Sequence, residues 1–222
     1  VLEGKTVLIT GSSTGIGREA AYRFAGEKAE LIITYCRGEE EGRITARKCG
    51  DLGSPRVHLK HLDITDEGSI DELAGYTAGQ CGGIDILINN AGVATWKQLQ
   101  DQSCEDIDRQ ISVNLTGLIK MTRAVLPQLR DMIINISSGS GKKGFPELTT
   151  YCATKFGVRG FTKALATETD IKTVSVNPPL TATRMTGYEG MPAAGVAEVV
   201  LDAAKRRDSI ETGSDIDITA RA

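Results

Sequence analysis

At 222 residues, 40% of them hydrophobic, the chain can bury one sizeable core, and one α/β domain over residues 1–222 would be of ordinary size. A net charge of −3 and a pI of about 5.5 give no footprint for nucleic acid or an anionic membrane surface. No apolar run approaches the roughly 20 residues of a membrane helix, and the five cysteines lack Cys-x-x-Cys spacing, which suits free thiols in a reducing, cytoplasmic setting.

The chain opens directly into a strand near 5–10, with no leader-like segment. Val7, Leu8 and Ile9 make that strand a buried one. It runs into Gly11-Ser12-Ser13-Thr14-Gly15-Ile16-Gly17 and then into a helix near 16–27, with Ala21, Phe24 and Ala25 at helical spacing. Strand, glycine loop and helix together can cradle a pyrophosphate on free N–H groups. An ordinary glycine-rich turn is the competing reading, and the flanking elements favour the cradle.

A second strand near 30–35 ends at Tyr35, followed by Cys36 and Arg37. Glu39-Glu40-Glu41 suits the first turn of a helix near 39–49, where acids complement the dipole. In a third strand, near 56–62, His58 and His61 are three apart and so face opposite sides. With no third ligand nearby in sequence, no metal site is expected. After a helix near 66–80, Ile84-Asp85-Ile86-Leu87-Ile88-Asn89-Asn90-Ala91-Gly92 reads as a strand near 84–89 ending in small residues. A flat ring can lie against backbone there, at the sheet end where open α/β folds bind ligands.

A long helix is expected over 103–128. It contains Asn114, which read alone is more simply a satisfied mid-helix amide. The strand near 132–137 delivers hydroxyls at Ser137 and Ser138. Thirteen residues past Ser138 comes Tyr151-Cys152-Ala153-Thr154-Lys155, at the start of a helix near 150–168. Residues at i and i+4 share a helix face, so the ammonium can favour the phenolate and lower the Tyr151 pKa. A phenol tuned in that way exchanges protons with a carbonyl or alcohol oxygen. Alone the pair is weak evidence. Cys152, about 100° around the helix from Tyr151, is read as packing. A strand near 172–177, a helix near 193–206 and a strand near 215–219 complete an alternating pattern, which predicts a parallel, doubly wound sheet.

Taken in order, Gly11-x-x-x-Gly15-x-Gly17, Asn89-Asn90-Ala91-Gly92, Asn114, Ser138 and Tyr151-x-x-x-Lys155 resemble the short-chain dehydrogenase/reductase family in its small single-domain form. That resemblance spans about Gly4 to Asn177. It implies a Rossmann fold, seven mainly parallel strands with helices on both faces, and reversible hydride transfer between a nicotinamide cofactor and a carbonyl/alcohol pair. It makes Tyr151 the acid/base. Lys155 would be its pKa partner and a ribose ligand, Ser138 the holder of the substrate oxygen, and Asn114 the support of a relay water. The loop residues Gly11, Ser13, Thr14, Gly15, Ile16 and Gly17 would hold the pyrophosphate, and Asp63 and Ile64 the adenine. Asn90, Ala91, Gly92, Pro178 and Thr183 would line the rest of the cofactor. It also implies a homodimer or homotetramer.

Several positions depart from the family pattern. Pro178-Pro179 replaces Pro-Gly, Lys28 stands where a helix-ending glycine is usual, and the link between Leu129 and Met132 is clipped. The segment from Met185 to Pro192 is short, and the chain ends Ala220-Arg221-Ala222. At the end of the second strand an acid would select NAD by binding ribose hydroxyls and repelling a 2′-phosphate. Tyr35 and Arg37 stand there instead, favouring NADP(H), with a surface role for Arg37 as the competing reading. Trp96, Met185, Tyr188 and Met191 are candidate pocket walls, though packing or loop exposure explains each more simply. The leading expectation is an NADP(H)-dependent enzyme acting on a small carbonyl or alcohol. The alternative is a cofactor-binding sensor or scaffold with little turnover.

Overall fold

Alternating aliphatic side chains in the first strand build both halves of the core. In the computed structural model, which describes residues 2–219, β1 (Thr6–Ile9) directs Val7 and Ile9 to one face and Leu8 to the other, as a period of two requires. On the Val7 side lie Ala21 and Phe24 of α1 (Gly15–Gly26) and Val200 of α7 (Ala193–Lys205). On the Leu8 side lie Ile70 and Leu73 of α3 (Glu67–Gln80) and Met121 of α5 (Leu118–Val125).

The remaining strands of the main sheet are β2 (Glu30–Tyr35), β3 (Val57–His61), β4 (Ile84–Asn89), β5 (Leu129–Ile136), β6 (Lys172–Asn177) and β9 (Asp215–Asp217). The seven run parallel in the order β3-β2-β1-β4-β5-β6-β9. The order reverses between β1 and β4, which creates a topological switch point at their carboxyl ends. α2 (Glu39–Asp51) and α6 (Thr149–Leu165) complete the layers. This is the Rossmann architecture expected from the sequence.

The expected helix over 103–128 is not continuous. It is α4 (Cys104–Ile111), a π-helical turn over Ser112–Gly117, α5, and a 3-10 turn over Leu126–Gln128. The wide turn has a packing cause. A Cβ on Gly117 would sit 2.6 Å from the Ile64 carbonyl oxygen, so the backbone approaches the loop after β3 directly. Leu129 to Met132, read as a clipped link, instead extends β5. Ile84 pairs with Leu129 and Ile86 with Met132, so Arg130 and Asp131 of β5 oppose the single Asp85 of β4 in a bulge. A small second sheet pairs β7 (Thr181–Ala182) with β8 (Met191–Pro192). Lys28 does adopt a positive φ, 59°, where a side chain costs about 1 kcal/mol relative to glycine. The terminal Ala220-Arg221-Ala222 lies outside the described residues.

One premise from the sequence fails. His58 and His61 have no third ligand near them in sequence, yet the sheet brings Glu30, and the end of α3 brings Cys81, to His58.

Candidate active site

At the switch point, the ends of β1 and β4 are stitched together by their own polar groups. Thr10 Oγ1 accepts from the N–H groups of Asn90 and Ala91 at 2.9 and 3.0 Å. Asn90 Nδ2 donates to the carbonyls of Thr10 and Gly11. The glycines are demanded by this closeness. Gly11 has φ 64°, and a Cβ there would lie 3.0 Å from Ala91 Cα; a Cβ on Gly17 would lie 2.5 Å from Asn90 Nδ2. Gly15 has φ 59° and faces the Thr183 methyl group, 3.3 Å from its notional Cβ.

The loop over residues 11–17 therefore lies against Asn90, Ala91 and Thr183. Thr14 leaves the start of α1 without a side-chain cap, so its first N–H groups can serve an anion. Two supports were missed by sequence reasoning. Thr34 Oγ1 accepts from Gly11 N–H at 2.9 Å, and Arg18 donates twice to the Ser13 carbonyl at 2.9 and 2.6 Å. The Thr34 bond has no spacing signal, because its partners are 23 residues apart and meet only through folding; the Arg18 bond is local, five residues along the chain.

The four candidate catalytic residues also converge. Asn114, fully buried in the π turn, accepts from Val93 N–H at 2.7 Å and donates to the Val93 carbonyl at 2.8 Å and to Thr154 Oγ1 at 3.2 Å. Three of the four bonds such an amide can form are thereby made. Its side chain braces the loop after β4 against α6. A notional Cβ on Gly92 would lie 3.4 Å from Asn114 Oδ1 and 3.7 Å from Lys155 Nζ. Ser138 follows β5 and its Oγ accepts from Ser140 N–H. The Pro178 carbonyl accepts from Gly139 N–H at 2.8 Å, so the Pro178-Pro179 turn is fastened beside Ser138.

Tyr151 and Lys155 occupy the first two turns of α6. Here the sequence expectation of a lowered Tyr151 pKa is corrected. Burial pushes the phenol up to about 12, against a smaller downward pull from the Ser138 hydroxyl. The same burial lowers Lys155 to about 8. Lys155 Nζ donates to the Ile136 carbonyl at 2.8 Å and lies 5.6 Å from the Tyr151 ring centroid. An ammonium turned towards a backbone carbonyl does little to stabilise a phenolate, so desolvation prevails.

Lys155 thus carries a pH-dependent cost. A buried lysine lowered from 10.5 to about 8 is penalised while charged. That penalty is complete below pH 8 and relieved as pH rises towards 10.5, because the unfolded chain holds the extra proton in that window. Lys155→Met, which lacks the group, is expected to lose up to about 3 kcal/mol of stability relative to wild type across the same window. Denaturant melts at both ends of the window check the sign, and a pH-independent difference would refute it.

At the ends of β2 and β3, Tyr35 is half-buried and stacks edge-on against His61, with centroids 5.6 Å apart. Arg37 is exposed, and its charge helps hold Asp63 below the usual carboxylate range, after the larger effect of bonds from Thr65. Ile64 is buried under the π turn. Trp96 Nε1 donates to the Met185 carbonyl at 3.3 Å, joining two of the candidate pocket walls. Tyr188, 69% exposed, stands apart, and Met191 lies in the small sheet. An Arg184–Glu41 ion pair at 3.2 Å links the loop after β7 to α2.

Comparisons with known proteins agree with this geometry. A family model described as short chain dehydrogenase matches residues 5–191. A 3-oxoacyl-(acyl-carrier-protein) reductase of Thermotoga maritima is 34% identical, over 98% of this chain and 97% of that protein. D-threitol dehydrogenase of Mycolicibacterium smegmatis is 33% identical, over 79% of this chain and 68% of that protein. The crystal structure of a dehydrogenase/reductase from Sinorhizobium meliloti superposes with a TM-score of 0.90 at 28% identity, covering 98% of this chain and 94% of that one.

Proposed function

This chain belongs to the short-chain dehydrogenase family, whose members are nicotinamide-dependent oxidoreductases acting on CH–OH groups or the matching carbonyls, and we propose that it prefers NADP(H) and uses Tyr151 as its acid/base. The observation that carries the acid/base reading is the meeting of Ser138, Tyr151 and Lys155 beside the Gly92 strip.

The bound nicotinamide would supply or accept the hydride. Tyr151 keeps its proton at neutral pH because burial holds its pKa near 12, and gives it to the substrate oxygen during reduction. The Ser138 hydroxyl orients that oxygen. Lys155 holds the ribose hydroxyls with the two ammonium donors left beside the one given to the Ile136 carbonyl. Asn114 positions the strip and α6, and would support a relay water beside them. The exposed Arg37 and the absence of an acid at Tyr35 support NADP(H). The sensor reading gives way to an enzyme, since the relatives of this chain are named dehydrogenases and reductases.

One domain over residues 1–222 would then hold both cofactor and substrate, in the cytoplasm, where the free cysteines suit a reducing setting. A carbonyl and alcohol panel with each cofactor, read by the near-ultraviolet absorbance of the reduced nicotinamide, tests the proposal. Turnover with NADH but not NADPH would overturn the cofactor preference; no turnover of any carbonyl or alcohol would overturn the acid/base reading.

Self-association is expected as well. Ile111 on α4, Ile119 on α5 and Phe156 on α6 are 40%, 37% and 44% exposed, which is apolar surface of the kind partners cover. Sedimentation is expected to show a dimer or tetramer, and a stable monomer at micromolar concentration would exclude it.

A further inference from the structure

At the opposite end of β2 from the cofactor groove, three side chains from separate elements converge. Glu30 opens β2, His58 lies on β3 opposite Ile32, and Cys81 closes α3. Glu30 and Ile32 point to the same face, two residues apart, which is the face α3 covers. His58 Nε2 is 2.9 Å from Glu30 Oε1 and 3.8 Å from Cys81 Sγ, and all three ligand atoms lie within 4.8 Å of one another.

We propose that Glu30, His58 and Cys81 form a site for a zinc-type divalent cation, distinct from the catalytic machinery. The donor set is one carboxylate, one imidazole and one thiol, which suits borderline cations such as Zn²⁺ and not the oxygen-seeking Mg²⁺ or Ca²⁺. The spacing is close to what is needed. Tetrahedral zinc with ordinary bond lengths places nitrogen and sulfur about 3.6 Å apart and nitrogen and oxygen about 3.3 Å apart. The two pairs at His58 Nε2 differ from these by a few tenths of an ångström, and the Glu30 oxygen and Cys81 sulfur, within 4.8 Å of each other, are brought to bonding distance by side-chain rotation. A water completes the fourth position.

An outer partner is already in place. His58 Nδ1 is 2.8 Å from the Tyr76 hydroxyl. With Nδ1–H donating there, Nε2 presents its lone pair to the cation. On binding, the proton between Nε2 and Glu30 gives way to the cation and the imidazole proton resides on Nδ1, donated to the Tyr76 hydroxyl, while the Cys81 thiol releases its proton to solvent. Arg56, 3.5 Å from Glu30 Oε1, and Lys60, 3.5 Å from the Tyr76 ring centroid, oppose the added charge. Arg56 is 61% exposed and free to turn away. Glu30 is separated from Tyr35 by about 16 Å of strand, so the cation would brace the edge strand β3 against α3 without touching the cofactor groove.

The test is a Zn²⁺ titration of the purified full chain against a chromophoric chelator, repeated with Co²⁺ as a spectroscopic probe. One equivalent per chain is expected, together with a raised melting temperature and a thiolate-to-cobalt charge-transfer band. Cys81→Ser is expected to abolish the band and weaken Zn²⁺ about 100-fold; Glu30→Gln and Tyr76→Phe are each expected to weaken it about 10-fold or more. Cys36→Ser and Cys104→Ser, at exposed thiols elsewhere, are expected to change nothing. Circular dichroism and unchanged turnover would establish that the Cys81→Ser protein is folded. Failure of the wild-type chain to compete with the chelator would overturn the proposal. So would binding that survives Cys81→Ser, since the cation would then sit at another thiol.

Discussion

Tyr151→Phe is expected to lower turnover by ~10²–10⁴-fold while leaving cofactor affinity nearly unchanged. The substitution keeps the half-buried ring in its place on α6 and removes only the hydroxyl that Ser138 acts upon. In free-energy terms the loss is about 3–5 kcal/mol of transition-state stabilisation. Direction matters too. With the Tyr151 pKa near 12, the phenol is the dominant form at neutral pH, so carbonyl reduction has its acid ready. Alcohol oxidation needs the phenolate, and its rate is expected to climb with pH below 12, with no matching rise in the reduction rate. Steady-state rates and cofactor titrations of the variant decide the matter. Activity within a few-fold of wild type would remove Tyr151 from its role.

Arg37→Ala is expected to weaken NADPH and leave NADH almost untouched. A charge-assisted contact with a 2′-phosphate contributes ~1.5–3 kcal/mol, roughly 10- to 150-fold in affinity. Because Arg37 is exposed, solvent screening places the effect near the lower end. Tyr35→Asp is expected to invert the preference by adding a ribose acceptor and a charge that repels the phosphate. It also removes the ring that stacks on His61, so affinities for both cofactors need measuring beside a melting curve. A wild-type protein that already binds NADH more tightly than NADPH would defeat both halves of the argument.

The sequence by itself determined the elements whose cause is local. Short aliphatic runs made β1 and β4 buried strands, and the glycine loop before α1 follows from backbone demands that only glycine meets at Gly11 and Gly15. Tyr151 and Lys155 share a helix face because their spacing places them there. Only the tertiary structure decided what depends on partners distant in the chain. The π turn around Asn114 exists because Gly117 must approach Ile64, and the residues after Leu129 became strand because β4 was there to pair with. The Tyr151 pKa moved up and not down, since burial is a property of the packed site and a four-residue spacing carries no information about it. For the same reason His58 looked isolated in sequence: Glu30 lies 28 residues before it and Cys81 23 after, and parallel pairing of β2 with β3 beneath α3 brings all three together.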